Sequence, residues 1–248
     1  MLLANTNAVI YGGGGHVGGA VARAFAREGA KVHLAGRTLE SLEKVAEDVR
    51  AAGGAAEVAR VDALDPTQVD EYADTVAAGS GSLDVSLNAI SLGDVQGTPI
   101  AEMPHDDFLR PVDTAVRSTF LTARAAARHM IRQGSGVILT FGGGGGSPPV
   151  RDYSIGGFHV AMGAVDVLRR QLAAELGRHG VRVLTLHSGG LPESFDDAEI
   201  AAAIRDATML GRAATLEDVG NAAVFAASDL ARTMTGTSVN ITCGAETD

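Results

Sequence analysis

Short apolar runs alternate along the chain with segments whose apolar residues recur every three or four positions, a pattern that predicts buried strands and amphipathic helices. The predicted strands are residues 8–11, 31–35, 56–61, 83–87, 137–141, 181–186 and 237–242. Helical spacing follows most of them and is longest at 108–132 and 158–176. This order predicts an α/β fold with a doubly wound parallel sheet of seven strands and helices on both faces.

The pattern contains no linker and no internal repeat, so residues 1–248 are predicted to form a single domain. Residues 91–107 look like a loop because glycine and proline interrupt them. The segment at about 191–212 is polar and then weakly helical, which is typical of a lid over a site.

The first strand runs directly into a glycine-rich turn. Four glycines occupy positions 12–15, and Gly13, Gly15 and Gly18 satisfy the spacing G-x-G-x-x-G. Helical spacing begins at once, so the turn lies between a strand and a helix N-terminus, where backbone N–H groups can bind a pyrophosphate. This context predicts a dinucleotide-binding loop; the alternative is a glycine-rich turn that binds nothing.

Composition narrows the classes of partner. Lys and Arg number 20 against 30 Asp and Glu, a formal net charge of −10, which argues against nucleic acid and anionic membranes as partners. The single cysteine, Cys243, excludes an internal disulfide, and none of the seven histidines is spaced as a metal ligand, so no metal is expected. We see no signal peptide and no long apolar run, and therefore expect a soluble cytoplasmic protein.

Several motifs together resemble the short-chain dehydrogenase/reductase family over essentially the whole chain. The family's T-G-x-x-x-G-x-G loop falls on residues 11–18, its adenine-contacting acid on Asp62, and its Asn-Asn-Ala-Gly strand end on Asn88 onwards. Ser188-Gly189 matches its Pro-Gly motif, and residues 210–241 are very close to its usual ending. The resemblance implies a Rossmann-like sheet with strand order 3-2-1-4-5-6-7 and a nicotinamide cofactor.

By the same resemblance, the cofactor-binding residues form one set drawn from the glycine loop and the following strand ends. They are Gly12, Gly14, Gly15, His16, Val17, Gly18, Arg37, Thr38, Asp62, Ala63, Asn88, Ala89, Met162, Gly189 and Leu191. Relatives that prefer NAD(H) usually end the second strand in an acid, whereas this chain has Arg37 there. A guanidinium suits a 2′-phosphate, so we expect NADP(H) rather than NAD(H).

The chain departs from the family where the chemistry is expected. Alignment of the helix at 158–176 places Phe158 at the family's catalytic Tyr and Met162 at its Lys. The active-site Ser falls near Gly145, and the active-site Asn falls on Ala115. The only lysines, Lys31 and Lys44, lie far upstream, so no shift of register restores the pair.

Two side chains are candidates for a replacement proton donor. Tyr153 precedes the Phe158 helix by five residues, and His187 follows the sixth strand. The alternatives are an exposed loop tyrosine and a strand-end histidine bonded to backbone.

The leading interpretation is an NADP(H)-dependent reductase with an atypical proton source, acting on a small activated carbonyl, enone or imine. A non-redox isomerase, cyclase or lyase, or a catalytically silent nucleotide-binding protein, remains open. Relatives pair through the helices at 108–132 and 158–176, so we expect a homo-oligomer, a tetramer or a dimer.

Overall fold

The computed structural model describes residues 1–142, 153–194 and 198–247 and contains one parallel sheet of the predicted order, β3-β2-β1-β4-β5-β6-β7. The strands are β1 (Asn7–Tyr11), β2 (Lys31–Gly36), β3 (Ala55–Arg60), β4 (Val85–Asn88), β5 (Gly136–Gly142), β6 (Val181–His187) and β7 (Thr237–Asn240). The sequence prediction of the sheet is therefore confirmed, with small shifts at the strand ends.

Helices connect the strands within the described ranges. They are α1 (His16–Arg27), α2 (Leu39–Ala51), α3 (Pro66–Ser80), α4 (His105–Gln133), α5 (Phe158–Leu176), α6 (Ala198–Asp206) and α7 (Leu216–Ala227). Helix α4 begins three residues earlier than its apolar spacing suggests, because Asp106 and Asp107 occupy its first turn, where acidic side chains favour the helix dipole. It ends at Gly134, whose φ of 73° is left-handed.

Two apolar layers cover the sheet. Ile10 of β1 belongs to the layer shared with α1, α2 and α7, whereas its neighbour Val9 belongs to the layer shared with α3, α4 and α5. This alternation follows from the two-residue period of a strand. Burial on both faces explains why β1 reads as a continuous apolar run in the sequence.

All seven strands point the same way, so their carboxyl ends meet at one edge of the sheet. Strand β1 pairs with β2 on one side and with β4 on the other, so the order of connection reverses there. A crevice opens at such a point, and ligands of doubly wound sheets bind in it.

The predicted lid segment is described in two parts. Pro192–Ser194 forms one turn of 3-10 helix, and α6 follows after three residues that lie outside the described ranges. Ile204 of α6 lies against Gly190, at the start of the segment. In the described part of the chain, no helix has the length and apolar character needed to cross a membrane.

Candidate active site

A cavity of about 820 Å³ opens at the carboxyl edge of the sheet, over the point where the strand order reverses. Most residues predicted to bind the cofactor line it. They are Gly12, Gly14, Gly15, His16, Val17, Arg37, Thr38, Asp62, Ala63, Asn88, Ala89 and Met162. The fold therefore brings these predicted residues together from the ends of four strands, β1 to β4, and from the two helices α1 and α5.

The glycine loop is shaped by close backbone contacts. Gly12 has a φ of 80°, and a Cβ at this position would collide with the carbonyl group of Ala89. Gly18 lies beneath the loop rather than in the cavity wall, and a Cβ there would collide with the carbonyl oxygen of Gly12. Only glycine satisfies both positions without a shift of the backbone.

The same loop ends at the N-terminus of α1. Gly15 is the N-cap residue and has no side chain with which to cap the first turn. Unpaired N–H groups and the positive end of the helix dipole therefore face the cavity. This end of the cavity is built to bind phosphate.

Beyond the loop, the cavity reaches the ends of β2 and β3. Arg37 is exposed there, and among the described residues it makes no ion pair. Ser41, which the sequence analysis did not identify, also lines this end and donates a hydrogen bond to the carbonyl oxygen of Thr38 over 3.0 Å. The carboxylate of Asp62 accepts a hydrogen bond from the backbone N–H of Leu64 over 3.0 Å. These contacts hold the groups around the predicted adenosine site in place.

Asn88 is held by a buried polar cluster at the end of β4. Its amide nitrogen donates to Ser118 Oγ over 2.9 Å and to Thr119 Oγ1 over 3.4 Å. Its oxygen accepts from the N–H of Ile90 over 3.3 Å. The strand end is thereby fixed to α4 at the cavity wall.

An apolar cluster contains three residues that the sequence alignment assigned to the family's catalytic positions. Ala115 and Met162 are buried together with Ala161 and Val165, and the half-buried Phe158 packs against them. Phe158, Met162 and Ala115 all line the cavity. None of these three side chains carries a proton that can be donated to a substrate.

Thr140 is a residue of the cavity wall, outside the apolar cluster, that sequence reasoning missed. It is buried in β5, lines the cavity, and shares a hydrogen bond of 2.7 Å with Thr185 Oγ1 of β6. Asn88, Thr140 and Thr185 are partners in strand register, so they form one row across the sheet. Only the register reveals this row, since the residues are far apart in sequence.

Tyr11 also lines the cavity, but its phenol is a weak acid. Burial, together with Tyr72 and Asp70, raises its pKa well above the ordinary value for tyrosine. Its ring meets that of Tyr72 edge to face, with centroids 6.3 Å apart. The side chain belongs to the apolar layer beneath β1.

The two predicted proton donors lie elsewhere among the described residues. Tyr153 is exposed and its ring lies over Gly97, outside the cavity wall. His187 is the last residue of β6, and its Nε2 is 2.9 Å from a carboxylate oxygen of Glu246. Gly145, the predicted position of the family serine, falls outside the described ranges. The catalytic assignments of Tyr153 and His187 remain predictions.

Gly189 and Leu191 border the site without lining the cavity. Leu191 is buried in the apolar layer of α1 and α7, and Gly189 lies close to Thr242. Ser194, three residues further on, does reach the cavity wall.

Comparison with known proteins agrees with this geometry. A family model described as Enoyl-(Acyl carrier protein) reductase matches residues 15–246. A 3alpha-hydroxysteroid dehydrogenase from Mediterraneibacter gnavus is 31% identical over 95% of this chain and 95% of its own length. The crystal structure of a short-chain type dehydrogenase/reductase from Mycobacterium marinum has a TM-score of 0.89 at 30% identity and covers 99% of this chain and 97% of its own.

A second solved structure carries a nucleotide. It is a gluconate 5-dehydrogenase from Burkholderia cenocepacia J2315 in complex with NADP and tartrate, with a TM-score of 0.89, 26% identity, and coverage of 98% of this chain and 96% of its own. The chain belongs to the short-chain dehydrogenase/reductase family and is an oxidoreductase of that family.

The residues present fit the nicotinamide cofactor that this fold binds. The glycine loop leaves no room for side chains between the phosphate site and β4, and the α1 N-terminus offers unpaired donors. When bound, the cofactor donates or accepts a hydride. Met162, which the sequence alignment predicts in place of the family's lysine, lines the same cavity.

Proposed function

We propose that this protein is an NADP(H)-dependent reductase that does not use the family's Tyr–Lys pair and acts on a small substrate that is already electrophilic. The observation that carries the proposal is that one cavity contains both most of the predicted nucleotide-binding residues and an apolar floor. Phe158, Met162 and Ala115 form that floor, and they lie in the same cavity as the glycine loop.

The preference for NADP(H) is argued from Arg37. It is an exposed guanidinium without an ion-pair partner in the described ranges, and it lines the cavity beside Thr38. A guanidinium binds a phosphate by paired, charge-assisted hydrogen bonds. A carboxylate at this position would instead repel the 2′-phosphate of NADP(H). The NADP complex of the gluconate 5-dehydrogenase shows that a protein of this fold accepts this nucleotide.

The substrate class follows from charge. Hydride addition to a ketone creates an alkoxide, and an alkoxide buried without a proton donor is costly. The floor of Phe158, Met162 and Ala115 supplies no side-chain donor. An activated carbonyl or an enone spreads the developing negative charge, and a protonated imine is neutralised by the hydride, so each reduces this cost. Such substrates depend less on general acid catalysis, which is typically worth about 10²- to 10⁴-fold in rate.

The source of the proton, where one is needed, is part of the proposal. Tyr153 and His187 are the candidates, and either would have to approach the cavity from its rim. If Tyr153 donates, Tyr153→Phe abolishes reduction of carbonyl substrates and leaves nucleotide binding unchanged. The same reasoning applies to His187→Gln.

The test is a survey of NADPH oxidation with the purified protein. A cyclic ketone, the matching enone and the matching cyclic imine are each followed at 340 nm, and products are identified by mass spectrometry. We expect oxidation with the imine or enone and little with the ketone. Product formation without NADPH oxidation would instead identify an isomerase, cyclase or lyase, and tight NADPH binding without any product would identify a silent nucleotide-binding protein.

We also propose a cytoplasmic homo-oligomer, a dimer or tetramer, that associates through α4 and α5. Phe120 of α4 and Val160 and Val167 of α5 are exposed apolar side chains in the single chain. Multi-angle light scattering at micromolar concentration tests the assembly, and a monomer would contradict it.

A further inference from the structure

We propose that the substrate is a cation, a protonated imine or an iminium ion attached to an apolar body. This inference rests on the proposed function, because it names the substrate class of the same site. It is carried by three features of the substrate end of the cavity: the missing cation, the retained aromatic ring, and the balance of charges at the rim.

The missing cation is the first feature. Where relatives place a lysine, this chain has Met162, which is buried against Val165 and Ala115. An ammonium group at this depth would repel a cationic substrate in a medium of low dielectric constant. A thioether removes this repulsion and keeps the length of the side chain. Methionine at this position therefore favours a positively charged substrate over what lysine would allow.

The retained ring is the second feature. Phe158 keeps an aromatic side chain at the cavity wall while losing the phenolic proton. The face of an aromatic ring attracts cations, and the attraction is larger where water is excluded. An iminium ion needs this stabilisation and needs no proton, which is the reverse of what a ketone needs.

The rim charges are the third feature. Asp94 and Arg110 are the charged side chains that line the cavity at this end, in the part of the chain that the structure describes. Arg110 is neutralised by Asp107, whose carboxylate oxygen lies 2.7 Å from its Nη2. Asp94 accepts a hydrogen bond of 2.6 Å from the neutral amide of Gln96, and no described basic side chain forms an ion pair with it.

The rim is therefore negative overall. Asp94 is half-buried and lines the same cavity as Phe158, so its carboxylate attracts a cation bound there. Clefts lined by one sign of charge concentrate ligands of the opposite sign.

The chemistry balances without an acid in the protein. One hydride, with its electron pair, passes from NADPH to the imine carbon, and a new C–H bond forms. The π pair of the C=N bond becomes the lone pair of the nitrogen, so the cation becomes a neutral amine and NADPH becomes NADP⁺. No proton crosses the apolar floor during the step; the amine takes one from solvent after release.

Binding of matched probes tests this inference separately from turnover. N-methyl-3,4-dihydroisoquinolinium is the cation, 1-tetralone is the neutral analogue, and 1-naphthoate is the anion. Calorimetry is run without nucleotide, so that no hydride is transferred. We expect the cation to bind about tenfold more tightly than 1-tetralone, and this preference to shrink at high salt.

Three variants locate the effect. Asp94→Asn and Phe158→Leu are each expected to weaken binding of the cation several-fold and to leave 1-tetralone unchanged. Asp113→Asn makes the same change of charge on α4 outside the cavity, where Asp113 pairs with Arg117, and is expected to change neither. Equal binding of all three probes, or tighter binding of 1-naphthoate through Arg110, would overturn the inference.

The two proposals fail in different ways. If the cation binds selectively but NADPH is not oxidised with it, the charge preference stands and the reductase function fails. If 1-tetralone is reduced while the cation neither binds nor reacts, the reductase function stands and the charge preference fails.

Discussion

The thioether sulfur of Met162 lies directly against the backbone of Gly142, so closely that a Cβ at residue 142 would overlap it. This contact joins α5 to the end of β5 at the position that the sequence alignment assigns to the family's lysine. The apolar side chain of Met162 fills the space beside Gly142 without polar partners, which a buried lysine would require. The apolar floor is therefore packed as part of the core, together with Val165 and Ala115.

Restoring the family pair provides the first prediction. Phe158→Tyr combined with Met162→Lys places an acid and a cation in the floor, and is expected to raise reduction of simple ketones by up to about 10²-fold. The same variant is expected to weaken binding of iminium ions, because the new ammonium group repels them. Steady-state kinetics with a ketone and an iminium ion measure both changes.

The single variants serve as controls for that experiment. Phe158→Tyr alone adds the phenol without the cation that lowers its pKa, so it is expected to recover less ketone activity than the double variant. If the double variant folds and neither activity changes, then the floor is not the reaction site.

Arg37 provides the second prediction. Arg37→Asp removes the guanidinium from the wall of the cavity and is expected to weaken NADPH binding by about tenfold or more while affecting NADH much less. Lys44→Asp is the matched control, because it makes the same change of charge on the exposed side of α2, outside the cavity. Calorimetry with both nucleotides measures the effect; equal affinity of the parent protein for NADPH and NADH would refute the assignment.

Arg169 provides the third prediction, which concerns stability. Its side chain is 5% exposed, and within the described ranges its Nε and Nη1 atoms have no hydrogen-bond partner. Its partner Asp166 also pairs with Arg170 over 3.1 Å, so removal of Arg169 does not leave that carboxylate unpaired. Arg169→Leu is therefore expected to raise the free energy of unfolding by about 1–3 kcal/mol.

Arg170→Leu is the matched control for Arg169. Arg170 is 60% exposed and pairs with the same Asp166, so its removal is expected to change the free energy of unfolding by less than about 0.5 kcal/mol. Denaturant unfolding of the three proteins measures the comparison. A destabilised Arg169→Leu variant would show that the guanidinium has a partner that stabilises it.

His33 provides the fourth prediction, which concerns pH. It is buried on β2, with Nε2 3.3 Å from Ser80 Oγ and Nδ1 3.4 Å from Glu57, whose other oxygen pairs with Lys31. Burial lowers the pKa of His33, Glu57 partly opposes this, and Lys31 adds to it. Below about pH 6.5, His33 therefore binds a proton more readily in the unfolded chain than in the folded protein. The free energy of unfolding falls as a result.

The measurement is the free energy of unfolding between pH 7.5 and pH 5. His33→Gln keeps a hydrogen-bonding side chain without a titrating group, and is expected to flatten the loss of stability below about pH 6.5. His105→Gln, at an exposed histidine of α4, is expected to leave the slope unchanged. A His33→Gln curve parallel to that of the parent would show that other groups cause the dependence.

The sheet and the nucleotide end of the cavity could be predicted from the sequence because they depend on local signals. The apolar runs mark the strands, and Gly12 and Gly18 mark a turn that only glycine can form. Once the strands are parallel, their ends must meet at one edge, so Arg37, Asp62 and Asn88 fall together without knowledge of any side-chain contact.

The substrate end could not be predicted in the same way. Asp94 lies in the irregular chain between β4 and α4, and Arg110 of α4 donates a hydrogen bond to the carbonyl oxygen of Gly93 in that chain; no periodic pattern records that path. Thr140 was missed because its partners Asn88 and Thr185 are set by register across strands far apart in the chain. The prediction of Tyr153 rests on its proximity to Phe158 in sequence and that of His187 on its position at the end of a strand, and neither signal fixes the direction of a side chain.

The most direct test of this account is the ratio of two initial rates of NADPH oxidation by the parent protein, one with N-methyl-3,4-dihydroisoquinolinium and one with 1-tetralone at equal concentration. Because the iminium ion needs no proton and the ketone does, we predict a rate at least about 10²-fold higher with the iminium ion. Rapid reduction of 1-tetralone, at a rate equal to or above that of the iminium ion, would contradict the account, because it would require a proton donor that the apolar floor does not contain.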